Sequence, residues 1–355
     1  MAYSIFNTFA TDDVISLRGT EVTNALWSND TASLTAVFTS SQQFAISGEF
    51  YYDAYNQNPA TSPATAEVQF SVAYGHISGG GSPPLASLNT STLPTQVIYS
   101  QYKNLLLDQN TEKFSFNGTE SDDIYVINIQ RSRLRQAIDP GNWQLGLYGT
   151  TNSRTFIDDS NLNTAVTGNL VANNVYNIKS GSLTAGTSGT TVYGLVFPDY
   201  GVIILHPSAI KTAIGMYGDN GTTGLRSATA EPFSPYTGSG AGTNYQYQHE
   251  GLYRAISKAM ANSSGFTARS AESITSTNYF VRLKNSQYNY SNNPTYYTGS
   301  LPQNILEPFR AKPLTYVTTV GLYNDANELL AVAKLSRPIQ KSTDKEALIR
   351  VRLDY

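Results

Sequence analysis

A chain of 355 residues with 23 Lys and Arg, 26 Asp and Glu and a formal net charge of -3 at pH 7 is long enough for two domains or one large β unit. It lacks the basic surplus from which non-specific nucleic-acid binding draws its affinity. The absence of cysteine excludes disulfides, zinc-thiolate sites, iron-sulfur clusters and cysteine nucleophiles, and three histidines, His76, His206 and His249, leave little material for a metal centre.

Charged residues make up only 14%, against 25 Tyr and 14 Phe. The polar surface is therefore carried by Ser, Thr, Asn, Gln, Tyr and Gly, a composition suited to sheets and extended interfaces. The first residues carry no basic segment followed by an apolar core, and no stretch reaches ~18 uncharged apolar residues. Neither a secretory signal nor a membrane span is expected.

In chain order, residues 34–39 and 43–52 read as strands, and Pro59 and Pro63 break the pattern that follows. Residues 67–76 place Val68, Phe70, Val72 and Tyr74 on one face of a strand. The Gly-rich stretch 78–84 lacks the spacing of a phosphate-binding loop. Val97, Ile98, Tyr102, Leu105 and Leu106 predict a helix over 94–107. Residues 122–130 predict a central strand, with Arg131, Arg133 and Arg135 continuing it at spacing two. After the turn signal at 139–141, Trp143, Leu145 and Leu147 define one face of a further strand.

Residues 181–189 read as a loop, 191–197 and 202–206 as short buried strands, and 207–217 and 253–260 as helices, the first admitting Pro207 in its first turn. The Pro- and Gly-rich stretch 218–249 reads as a long exposed excursion. Residues 316–335 predict a β-hairpin turning at 324–328, and Ala347, Ile349, Val351, Leu353 and Tyr355 alternate with Leu348, Arg350, Arg352 and Asp354 in a terminal strand. Residues 310–355 carry eight basic and five acidic side chains. Both apolar faces of residues 315–355 are too extensive for a free tail.

The expected fold is mainly β with a few short helices, built of antiparallel sheets or sandwich-like domains with long loops. Three regions are drawn: a β-rich domain over 1–150, a loop-rich α+β region over 151–309, and the hairpin and terminal strand over 310–355, which would pack on the first.

No catalytic constellation emerges. The acid pairs Asp12-Asp13, Asp122-Asp123 and Asp158-Asp159 read as solvated turns or caps, since neighbours in a strand face opposite ways. No nucleophile elbow is present, and His206 beside Pro207 fits a helix start or an interface. Catalytic residues, metal ligands and cofactors are all expected to be absent. Arg131, Arg133 and Arg135 on one strand face would be a solvated edge, a cluster of ion pairs between subunits, or a nucleic-acid contact. With Trp143, Tyr316, Tyr323, Arg350, Arg352 and Tyr355 they are the candidate interface residues. Tyr288, Tyr290, Tyr296 and Tyr297 could stack on sugars or bases, against the simpler reading of an aromatic-rich protein face.

The segments at 98–107, 122–135, 139–145 and 319–338, the last reading Thr-Val-Gly-Leu-Tyr-Asn-Asp-Ala-Asn-Glu-Leu-Leu-Ala-Val-Ala-Lys-Leu-Ser-Arg-Pro, resemble virion structural proteins of large contractile-tailed bacteriophages and cyanophages. The resemblance implies a non-enzymatic tail or baseplate component, assembled in the host cytoplasm, whose partners are other virion proteins and copies of itself. A receptor- or glycan-binding tail protein and a neck or capsid-associated protein are the alternatives. Nucleic acid is disfavoured as a partner.

Overall fold

The computed structural model describes residues 7–38, 51–79, 94–149, 151–162, 165–166, 170–172, 174–217, 232–233, 248–262, 264–299 and 304–354. Most of the strand expected at 43–52, nearly all of the excursion at 218–249, and Tyr355 lie outside them. The chain divides into a larger unit, residues 22–272, and a smaller one that joins residues 1–21 to residues 273–355. The boundary drawn at residue 150 falls within the larger unit, between two strands that pair with one another.

In chain order the elements through the first half are β1 (Val14–Ala25), β2 (Ser33–Leu34), β3 (Tyr51–Tyr55), β4 (Val68–His76), α1 (Pro94–Leu106), β5 (Phe114–Phe116), β6 (Thr119–Ser121), β7 (Asp123–Ile129), α2 (Arg131–Leu134), β8 (Ala137–Ile138), β9 (Gln144–Tyr148) and β10 (Ser153–Asp158). There follow β11 (Tyr176–Ser182), β12 (Gly186–Ser188), β13 (Gly194–Phe197), β14 (Val202–Leu205), α3 (Pro207–Ile214), β15 (Met216–Tyr217), β16 (Pro232–Phe233), α4 (Gln248–Ala261) and β17 (Phe266–Thr267). The chain finishes with β18 (Arg269–Leu283), α5 (Glu307–Ala311), β19 (Leu314–Tyr323), β20 (Leu329–Ser342) and β21 (Ala347–Asp354). The molecule is thus mainly antiparallel β with a few helices.

The larger unit is built on one sheet in the order β2-β17-β9-β10-β11-β13-β14-β7-β4-β3, with β12 attached to β11. Its two ends approach each other. Phe38, just past β2, exchanges backbone hydrogen bonds with Tyr55 of β3. The rings of Phe70 on β4 and Phe266 on β17 lie 5.5 Å apart, with Trp27 against both and its indole N–H donating to the carbonyl of Phe266 at 3.0 Å.

The central strand β7 is buried on both sides. Tyr125, Ile127 and Ile129 join a core with Phe156, Leu145, Ile203 and the apolar faces of α3 and α4. Ile124 and Val126 face a second core with Tyr99, Leu106, Phe114 and Phe197 beneath α1. Alternation on a strand with a helix layer on each face explains why the segment is apolar at nearly every position.

The Gly181–Gly189 stretch is not a plain loop: β11 and β12 form a hairpin with Ser182 opposite Gly186. Asn117 and Gly118, both in the left-handed region (φ 51° and 83°), turn β5 into β6. This is the geometry that a two-residue hairpin with inward twist requires and that Asn-Gly supplies. Of the strand expected over 34–39, residues 34–38 contribute only Leu34, at the end of the two-residue β2, and the Phe38 bridge, and Thr39 lies outside the described residues.

In the smaller unit, β21 pairs antiparallel with β18 over eight residue pairs, from Ser276 opposite Asp354 to Leu283 opposite Ala347, and β1 lies on the other side of β18. Tyr279, Val281 and Leu283 with Ile349, Val351 and Leu353 share one face, and on it sit Val320, Leu322, Ala331, Ala333 and Ile339 of the β19–β20 hairpin. The result is a two-layered β sandwich of modest core.

Candidate assembly interface

The arginine row does not continue the strand. After Ile129 the chain turns: the Ile129 N–H donates to the carbonyl of Gly201, that of Gln130 to Gln69, and that of Arg133 to Gln130, which starts α2. At about 100° per residue, positions two apart on a helix point nearly opposite ways, so Arg131 and Arg133 no longer share a face.

Arg131 is exposed. Arg133 reaches Glu67 at 2.9 Å, and Glu67 also accepts from the hydroxyl of Ser28. Gln69, fully buried, donates to that hydroxyl at 2.7 Å and accepts from the Ser28 N–H at 3.0 Å. Arg133 is therefore a clamp inside the larger unit. Arg135, with φ 48°, pairs with Glu272 at 3.4 Å in the same unit.

Trp143 is core rather than interface. It is 1% exposed among Leu145, Leu147 and Phe156, and its indole N–H meets no acceptor among the described residues.

The acid pairs hold loops. Both oxygens of Asp158 accept from the N–H of Gly141 (3.0 and 2.9 Å), and one also from Ser160. Asp159 accepts from the Asn177 N–H and faces Lys179 at 3.1 Å. These two are buried, so they are not the solvated carboxylates the sequence suggests. Asp13 pairs with Arg282 and Asp122 with Lys113, both at 2.8 Å.

Asp123 is buried on β7, accepting from Tyr74 (3.0 Å) and Ser121 (3.1 Å). Burial pushes its carboxyl up to about 6, against the lowering effect of those two hydrogen bonds. His206 stacks on Phe116 at 4.8 Å and is held below its ordinary range by burial. Among the described residues no group of three or more His, Asp or Glu is placed to hold a metal ion.

The remaining candidates lie in the smaller unit. On the face of the β18–β21 pair away from its core, Arg350 Nε donates to Asn278 Oδ1 (2.7 Å), and Arg352 donates to Asp354 (2.7 Å) and Ser276 (3.0 Å). Ser276 also donates to Asp354 at 2.6 Å, and this hydrogen bond, with that from Arg352, holds the Asp354 carboxyl below its usual range. Arg350 and Arg352 thus form a cross-strand polar ladder, flanked by exposed Leu348.

Tyr316 and Tyr323 are exposed on β19. The ring of Tyr323 and the side chain of Leu329 close over Gly321, where a Cβ would stand 2.9 and 3.2 Å from them. Gly321 lies opposite Val332, which is 59% exposed, and Leu330 is 68% exposed.

The tyrosine-rich loop is partly a core of its own. Tyr296 is buried, stacked on Phe309 at 4.3 Å with its hydroxyl donating to the carbonyl of Asn289. Tyr290 and Tyr297 pack edge-on to it, leaving Tyr290 exposed. Beneath lies Lys341, fully buried, its ammonium donating to Asn289 Oδ1 (2.8 Å) and to the carbonyls of Ser342 (2.8 Å) and Asn285 (3.1 Å). Three donors meet three acceptors, which ties the loop to the root of the hairpin.

Comparison with protein-family models, curated protein sequences and solved structures finds no match for this chain. The residues that sequence reasoning passed over are Leu329, Leu330 and Val332. Their signal is present: the strand that starts at Leu329 has apolar side chains at both parities, although only one layer covers it.

Proposed function

We propose that this chain is a non-catalytic structural component of a contractile-tailed virion, of the tail or baseplate class, which works by docking a β surface of its smaller unit against neighbouring subunits. The observation that carries this reading is the outer side of the β19–β20 hairpin. Leu330, Val332, Leu329, Tyr316 and Tyr323 are all exposed on a hairpin whose inner side already packs on its own core. An apolar patch of this kind marks an interaction site, and aromatic residues are what interface centres favour. The resemblance of residues 319–338 to virion proteins falls on this same hairpin.

The test is incorporation. Changing Leu330 and Val332 together to Asp leaves the inner core untouched, so thermal unfolding of the isolated protein should be unchanged while its incorporation into particles falls sharply. Wild-type incorporation of that variant would overturn the proposal. The glycan-binding reading has the exposed rings of Tyr288 and Tyr290 to support it, with Tyr297 half-buried and Tyr296 withdrawn into the loop core.

A further inference from the structure

We infer that the outer face of the β19–β20 hairpin pairs with the same face of a second copy of this chain about a two-fold axis, an inference that rests on the docking role proposed above and names its partner. The argument is the order of side chains along the ribbon. At the turn stand Asp325 and Glu328, both exposed. Then come exposed Leu329, Leu330 and Val332, and beyond them Lys334 and Arg337, also exposed. None of these four charged residues makes an ion pair among the described residues.

Position 331 lies midway between Glu328 and Lys334. A two-fold axis through the middle of the apolar stretch therefore lays the acidic end of one ribbon on the basic end of the other, twice over, with Leu330 of each copy meeting Val332 of the other at the centre. Self-complementarity of one patch is what an isologous contact requires. Opposite charges at its rim set register and exclude the parallel arrangement, in which like charges would meet.

Among the described residues, neither strand edge of the ribbon is paired with a third strand. Edge-to-edge addition is nevertheless poorly served: Pro338 cannot donate, and the register shift that sets Val317 opposite Ile339 but Thr319 opposite Lys334 breaks the ladder of β20. The face is the better contact.

The test uses full-length protein and a charge exchange, read by native mass measurement and sedimentation equilibrium. Wild type should be a dimer whose affinity falls with salt. Lys334→Glu alone and Glu328→Lys alone each place two like-charge contacts in the dimer and should weaken it at least about a hundredfold. An equimolar mixture of the two variants should restore a dimer that contains one of each. Glu328 and Lys334 are both on the surface, so unchanged melting of each variant shows that folding is intact. Wild type that stays monomeric, or single reversals that leave the dimer intact, would overturn the inference. If wild type is monomeric while Leu330→Asp with Val332→Asp still blocks incorporation into particles, the partner is a different protein and the docking role stands. If the dimer forms as described but the same double variant incorporates normally, the pairing stands and the docking role falls.

Discussion

Arg133 shows how one side chain can leave an interface role for a structural one. Its guanidinium joins Glu67, Ser28 and Gln69 into a network that ties the turn before β2 to the start of β4 and the end of β7. Replacing it by Met strands Glu67 and loosens three segments together, so the larger unit should lose about 1–3 kcal/mol, a range set by the pair's partial exposure. Arg131→Glu, by contrast, should stay within about 0.5 kcal/mol of wild type. Urea unfolding of the two variants checks both, and equal effects would show that the network is not a clamp.

Asp123 makes the sign of a pH effect testable. In the unfolded chain an Asp titrates at about 3.9, whereas burial raises the folded value to about 6. Between these values the folded state holds the proton and the unfolded state does not, so this group's contribution to stability is present at low pH and is lost as pH rises through 6. The loss amounts to about 2–3 kcal/mol. Other carboxyls, among them Asp344 and Asp354, are held below their usual range and work the opposite way. The difference between wild type and Asp123→Asn isolates the effect. The variant should gain stability relative to wild type from pH 4 to pH 7, measured by urea midpoints. A difference that is flat with pH would show that Asp123 titrates normally.

At the scale of the element, β21 is the strand on which the smaller unit depends. It pairs with β18 along its whole length and contributes Ile349 and Val351 to a core of only five buried apolar side chains among the described residues. Removing residues 346–355 takes away two of those five and bares the edge of β18. A core of this size has little stability to spare, and unpaired edges invite aggregation. The truncated chain should lose the folded smaller unit and its solubility, rather than persist as a soluble protein that cannot assemble. Soluble truncated protein with unchanged melting would refute this account of β21.

At the scale of the molecule, the two units differ in core and in charge. The larger carries two extensive cores, the smaller one only a few residues deep. Residues 1–21 and 273–355 contain eleven Lys and Arg against nine Asp and Glu, net +2, which leaves -5 for residues 22–272. Cooperativity follows contiguous cores, so calorimetry should resolve two transitions with the smaller unit melting first. Leu283→Ala should lower only the first transition and Phe156→Ala only the second, each by about 2–5 kcal/mol. A single transition shifted by both substitutions would show one cooperative unit.

Local patterns in the sequence determined the elements whose partners are close by or whose faces alternate cleanly. β4, β7 and β9, the helices α1, α3 and α4, the β19–β20 hairpin and the terminal strand all follow from apolar periodicity and turn residues, because burial of one face imposes that period wherever the element ends up. The Asn117-Gly118 turn is equally local, because Asn-Gly favours the left-handed pair that a two-residue hairpin needs. What only the tertiary structure decided depends on contacts distant in sequence. The fifteen residues of β18 form a strand because β8, β1 and β21 flank it. The larger sheet bends until Phe38 meets Tyr55. The arginines at 131–135 leave the strand because the ladder with β4 ends at the Gln130 to Gln69 hydrogen bond, sixty-one positions apart, and the chain turns into α2 beyond it. A spacing of two fixes a shared face only while the backbone stays extended, and whether it does is settled by hydrogen bonds to partners that the local sequence does not contain. For the same reason the outer face of the hairpin could be identified only once its inner face had been seen to be filled.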